Sequence, residues 1–258
     1  MFARNLFLAA LLLCMHGWSA ADPAHAGPVH GAHGIVYGEY QLHVAGDPDP
    51  AGPGAPVRLE LKLTDPNGAE AAELDPSRAP ELAIVRQGLD VFTLLRPSMG
   101  PGGVFTLNLT FPVAGTYFLY LGFTPPGGAP VTAMATMQIA GDAPAPLPLE
   151  VHVPGRVVSE TLGADITIEK GLLSHTIRLG LIQPDGSPLA GVDVSSGDLV
   201  ILSADGTEYF HARPVQGQGA AEAAFEAAFP RPGLYKAWAL FQGDGKTLEL
   251  PFALDITK

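Results

Sequence analysis

The amino-acid sequence predicts an all-β protein built from two copies of one sandwich module. Three observations predict it. Apolar residues recur at alternate positions in short runs, which is the period of a half-buried strand. Thirty-one glycines and 25 prolines punctuate those runs, and both residues mark turns. The runs also occur twice in the same order, at an offset of 117 or 118 residues. Such repetition sets an architecture before any single element is assigned.

The chain of 258 residues opens with Arg4, an apolar run from Leu6 to Met15, and the small residues of "WSAAD". That order is the pattern of a secretory signal peptide over residues 1–21. The run falls short of the roughly 20 residues a membrane-crossing helix needs, and no later segment supplies a span. A periplasmic or secreted protein with no membrane span is therefore expected. The only cysteine, Cys14, lies in this leader. "LLLC" has the outline of a lipid-attachment box, but Leu13 stands where a small residue is wanted. The remaining chain lacks cysteine, so packed apolar surface rather than a disulfide must stabilise it.

Residues 22–34, "DPAHAGPVHGAHG", read as a flexible tract carrying His25, His30 and His33. The first module then spans 35–140, a Pro-rich linker 141–149, and the second module 150–258. "VRLELKLTDPNG" (57–68) matches "HTIRLGLIQPDG" (175–186), each a strand closed by a glycine turn. "ELAIVRQGLDVFTLLRP" (81–97) falls on "DLVILSADGTEYFHARP" (198–214), a strand, a turn and a second strand. "FPVAGTY" (111–117) falls on "FPRPGLY" (229–235), each leading into a strand of alternating aromatic and aliphatic residues. A tyrosine two residues after such a glycine suits the tyrosine corner of an immunoglobulin-like sandwich. Two tandem immunoglobulin-like β-sandwich domains after a signal peptide are the expected fold. Alanine and glutamate in "AAEAAFEAAF" (220–229) favour helix, but the segment's repeat partner, "VFTLNLTF", reads as a strand, and so does this one.

The net charge of −12 argues against nucleic acid and anionic membranes as partners. The G-x-S-x-G, H-E-x-x-H and P-loop patterns are absent from the sequence, so an enzyme is not expected.

The second half, "GDLVILSADGTEYFHARP … FPRPGLYKAWALFQGDGK", resembles exported bacterial sandwich proteins of the form H-L…F-x-H-x-H-P…F-P-x-x-G-x-Y. Those proteins are regarded as copper- or heavy-metal-associated, and the first half is similar but more diverged. The resemblance implies histidine ligands at three positions. Here they are occupied by Asp198, His211 and Arg213, and in the first module by Glu81, Leu94 and Arg96. An arginine does not ligate a metal and repels one. Asp198 is therefore expected to pair with Arg213, and Glu81 with Arg96, across neighbouring strands. His211 with Asp198 is the candidate metal site, and His25, His30 and His33 form a second, tail-borne candidate. His43, His152 and His175 carry no site signal. Met134 and Met137 fall on opposite strand faces, where core filling is the commoner role.

The expected function is that of an exported, non-enzymatic binding protein without a cofactor, whose partner is an envelope or extracellular protein. The alternative is periplasmic copper handling.

Overall fold

In the computed structural model, residues 33–34, 40–71, 73–215, 219 and 221–257 are described. They fall within one unit, Gly31–Lys258. The expected signal peptide, with Cys14, and the histidines His25 and His30 lie outside the described residues.

The alternation of "PVRLELKLT" produces β3 (Pro56–Thr64), in which Val57, Leu59, Leu61 and Leu63 are buried and Arg58, Glu60 and Lys62 are exposed. It lies between β2 (Gln41–Asp47) and β6 (Val104–Thr110). The facing sheet runs β5 (Phe92–Leu95), β4 (Glu81–Arg86), β7 (Gly115–Phe123), β8 (Val131–Ile139). Leucines of β3 meet Leu82, Ile84, Tyr117 and Leu119 in the core between these two sheets.

The second sandwich repeats the order. One sheet runs β14 (Glu222–Ala227), β11 (His175–Ile182), β10 (Gly163–Lys170), β9 (Gly155–Val158). The other runs β13 (Tyr209–Ala212), β12 (Val192–Ser203), β15 (Gly233–Gly243), β16 (Lys246–Ile256), with β1 (His33–Gly34) added at the β13 edge. Strands β2 to β8 thus have counterparts in β10 to β16, and β9 and β1 are additions. "AAEAAFEAAF" supplies the strand β14, paired with β11, because Ala223, Phe225 and Ala227 enter the second core. Tertiary burial overrides the local preference for helix. Both tyrosine corners form: Tyr117 donates to the Val113 carbonyl at 2.8 Å and Tyr235 to the Arg231 carbonyl at 2.9 Å.

The sandwiches do not hang from a free linker. β4 is buried on both faces, with Leu82 and Ile84 in the first core and Ala83 and Val85 in a third apolar layer. From the second module, Val200, Leu202, Tyr209, Trp238 and Leu240 enter that same layer. Four sheets are therefore stacked, with three apolar layers between them. Two aromatic stacks cross the seam in an exchanged arrangement. Phe92 lies on Trp238 at 4.6 Å, and Tyr209, the repeat counterpart of Phe92, lies on Tyr120 at 4.4 Å. Each such stack contributes about 0.5–1.5 kcal/mol beyond its buried area. The Pro-rich segment is held down as well: the Pro144 carbonyl accepts from Arg86 Nη2 at 2.6 Å, and Leu149 packs on the shared layer.

Gly206, in the turn between β12 and β13, permits this approach. Its φ is +71°, its carbonyl accepts from Tyr120 Oη at 2.7 Å, and a Cβ there would stand 2.6 Å from the Phe118 ring. At Gly54, φ is +75° but a Cβ would meet nothing within 4 Å. Gly54→Ala is expected to cost about 1–2 kcal/mol from backbone strain alone. Gly206→Ala is expected to cost about 1–3 kcal/mol more through overpacking. Chemical denaturation of the two variants measures the difference, and equal losses would show that the seam does not require the close contact.

Candidate functional site

The residues singled out by the repeat converge where the two modules meet. Leu82 lies opposite Leu95 across β4 and β5, and the same register brings Glu81, the first residue of β4, to Arg96, just past the end of β5. Leu199 lies opposite Ala212 across β12 and β13, which brings Asp198 to Arg213 and sets His211 opposite Val200. The β12 register shifts between Asp193 and Asp198, an irregularity of the kind that re-aims side chains. Both expected pairs form: Arg96 Nε lies 3.1 Å from Glu81 Oε1, and Arg213 Nη1 lies 3.0 Å from Asp198 Oδ1.

Each arginine also crosses the seam. Arg96 Nη2 donates to Asp198 Oδ2 at 2.7 Å, and Arg213 Nη2 donates to Glu81 Oε1. His211 lies between the two carboxylates, with Nδ1 2.9 Å from Glu81 Oε2 and Nε2 2.8 Å from Asp198 Oδ1. The side chains of Asp198, Glu81 and His211 are 6%, 13% and 16% exposed, whereas Arg96 and Arg213, at 45% and 50%, form a wet outer rim. The pairs are related by exchange of modules, as the aromatic stacks are. His211 breaks the relation, since its counterpart is Leu94.

These contacts fix the charges. Ionised carboxylates only accept hydrogen bonds, so both ring nitrogens of His211 must carry protons. Burial alone would lower the histidine's pKa, but its hydrogen bonds to Asp198 and Glu81 and their charges raise it above the ordinary value. Burial opposes ionisation of Glu81 and Asp198 as well, yet the His211 hydrogen bond and the nearby cations hold both below the ordinary carboxylate range. Three cations against two anions leave the cluster with a net positive charge.

One ligand atom each from Glu81, Asp198 and His211 lies within 4.8 Å of the others, so the expected site residues do meet, joined by Glu81. As arranged, they do not fit a resident metal. A divalent cation needs a deprotonated imidazole nitrogen and free carboxylate oxygens, and here protons and guanidinium groups occupy them. Of the tail histidines, only His33 is described, and its backbone lies opposite that of His211 in the pairing of β1 with β13. His43 bonds to Thr64, His152 accepts from the Ala253 amide, and His175 packs on Phe229. Met134 packs on the shared layer and Met137 on the first core, the opposite faces their spacing implies.

A family model described as a domain of unknown function (DUF8832) matches residues 184–258. This stretch includes Asp198, His211 and Arg213 and none of the first module. No curated protein matches the chain. Among solved structures, the chain is similar to the Escherichia coli adhesin FdeC at 15% identity, covering 87% of this chain and 66% of that one, with a TM-score of 0.29. It is similar to latent PorU from Porphyromonas gingivalis at 12% identity, covering 86% and 24%, with a TM-score of 0.27. It is also similar to invasin, a bacterial integrin-binding protein, at 16% identity, covering 83% and 39%, with a TM-score of 0.22. The chain spans less than two thirds of each of these, and at such scores the likenesses carry no argument. The fold assignment rests on the strand orders above.

Stability should follow the cluster's charges. The contribution of His211, whose folded pKa is raised, is fully present below its ordinary pKa of about 6.5 and is lost as pH rises through the folded value. The contribution of Glu81 and Asp198, whose folded values are lowered, is present above the ordinary carboxylate range of about 4 and is lost as pH falls through the folded values. Denaturation midpoints across pH are expected to fall on both sides of a maximum, and His211→Gln is expected to flatten the alkaline side and, because His211 also helps hold Glu81 and Asp198 low, to reduce the acid-side slope as well. Asp198→Ala, which leaves His211 Nε2 without its partner while the exposed arginines turn to water, is expected to cost about 1–3 kcal/mol. Removing the exposed Arg58–Glu60 pair is expected to cost no more than about 1 kcal/mol.

Proposed function

We propose that this chain is an exported, non-enzymatic binding protein, descended from a duplicated module, that presents two sandwiches in one fixed geometry to an envelope or extracellular protein. The observation that carries this reading is the seam, where one shared apolar layer, two exchanged aromatic stacks and a fully paired ionic cluster join the modules. In this arrangement the cluster is a structural clasp, and the loops and sheet edges around it form the contact surface. A face that meets its own counterpart through exchanged pairs has the character of an isologous dimer contact. It is the contact expected if a self-pairing single module was duplicated within one chain. Among the described residues no helix is long and apolar enough to cross a membrane.

The likeness to copper-associated exported proteins is accommodated by exchange: the scaffold is retained, while arginine, carboxylate and leucine stand at ligand positions. Titration calorimetry with copper and zinc, with His211→Ala as the control, tests this. The expected result is no uptake that depends on His211. Stoichiometric, tight uptake lost in the variant would restore the metal-handling reading. The binding role is tested by cross-linking capture from an envelope extract with the intact chain and with Asp198→Ala. Recovery of one defined partner by the intact chain, weakened when the seam is loosened, is expected. Failure of the intact chain to enrich any partner would contradict it.

A further inference from the structure

At the outer rim of the seam, two guanidinium groups are held on one oxygen. Arg96 Nε lies 3.1 Å from Glu81 Oε1, and Arg213 Nη2 donates to the same atom. Arg96 Nη2 and Arg213 Nη1 turn to Asp198, at 2.7 and 3.0 Å. A guanidinium carries N–H donors on all three nitrogens. Arg96 Nη1 and Arg213 Nε are therefore left without a partner among the described residues, on side chains 45% and 50% exposed. Like charges set this close repel, and His211, which donates from both ring nitrogens, adds a third cation. The other ion pairs among the described residues have a different balance. They stand one to one, as in Arg86–Asp90 and Arg156–Asp165, or are richer in carboxylate, as where Arg231 faces both Asp205 and Glu208. In a chain of net charge −12, the rim is where cations outnumber the anions they touch.

We propose that Arg96 and Arg213 form an oxyanion site that receives a carboxylate of the bound protein partner. A carboxylate presents two coplanar oxygens, the geometry that a guanidinium fork matches. One carboxylate lying across the pair brings three cations and three anions into balance and relieves the repulsion between the arginines. The acidic total does not forbid this. Charges more than about 8 Å from the rim are largely screened at physiological ionic strength, so the adjacent guanidinium groups decide what binds. The site is open on its outer side, and an acidic side chain on a folded partner reaches it without entering a pocket. The inference names the chemistry of the partner proposed above and rests on that reading, whereas the site itself is tested with no partner present.

Acetate is the probe, titrated against chloride at constant ionic strength with nitrogen-15 detection of the arginine side chains. The Arg96 and Arg213 resonances should shift together and saturate. Those of Arg58 and Arg156, exposed and paired one to one, should drift without saturating. Arg96→Lys and Arg213→Lys keep the charge and lose the fork, and each should weaken the response by about tenfold or more. If a variant fails to fold, the intact chain decides the matter alone. Equal, unsaturated shifts at every arginine, which screening by itself produces, overturn the proposal. Saturation by phosphate with none by acetate does so too, since the ligand would then be a phosphate. A failed titration leaves the capture experiment untouched, and a failed capture leaves a saturating rim in place, so the two readings fall separately.

Discussion

Two carboxylates, one from each module, face the same buried imidazole, and the arrangement of the modules depends on how that juxtaposition is neutralised. Glu81 and Asp198 would repel each other across a poorly hydrated seam. His211 links them through its two ring nitrogens, while Arg96 and Arg213 each reach both. A buried ion pair recovers its desolvation cost only when its remaining hydrogen-bonding positions are filled, and here each of the four carboxylate oxygens has a partner. Such a cluster is intolerant of partial loss, and it specifies one relative placement of the sheets, since any slip would strand charge.

The apolar layer beneath the cluster provides the contact area that the ions orient. Stacked rings tolerate modest sliding, whereas hydrogen-bonded guanidinium groups do not. The division of labour follows: Phe92, Trp238, Tyr120 and Tyr209 contribute burial, and the five ionised residues fix register. His211, standing where the first module has Leu94, supplies the one asymmetric link. A leucine at both positions would leave the two carboxylates balanced by arginines alone at the wet rim.

Much of this was legible in the sequence. The alternation in β3 and β11 and the recurring F-P-x-x-G-x-Y block revealed two sandwiches with tyrosine corners. The spacing of Glu81 with Arg96 and Asp198 with Arg213 revealed two cross-strand pairs. The meeting of those pairs was not legible, because strand register is local whereas the packing of one module on another is not. A signal was nonetheless present. "LAIV" in β4 and "LVIL" in β12 lack the polar alternation of an outward-facing strand, and continuous apolar runs belong to strands covered on both faces. His211 and Asp198, the residues the sequence singled out, do stand together, and their contacts with Glu81 and Arg96 across the seam were the part that strand register could not reveal.

The central claim is that His211 is a doubly protonated clasp between two ionised carboxylates. Nitrogen-15 NMR of the histidine rings in the intact chain tests it most directly. The His211 ring should retain both N–H groups above the ordinary histidine range and be unchanged by a stoichiometric addition of copper or zinc. A ring that is singly protonated at neutral pH, or that gives up a proton to the added metal, would contradict the account.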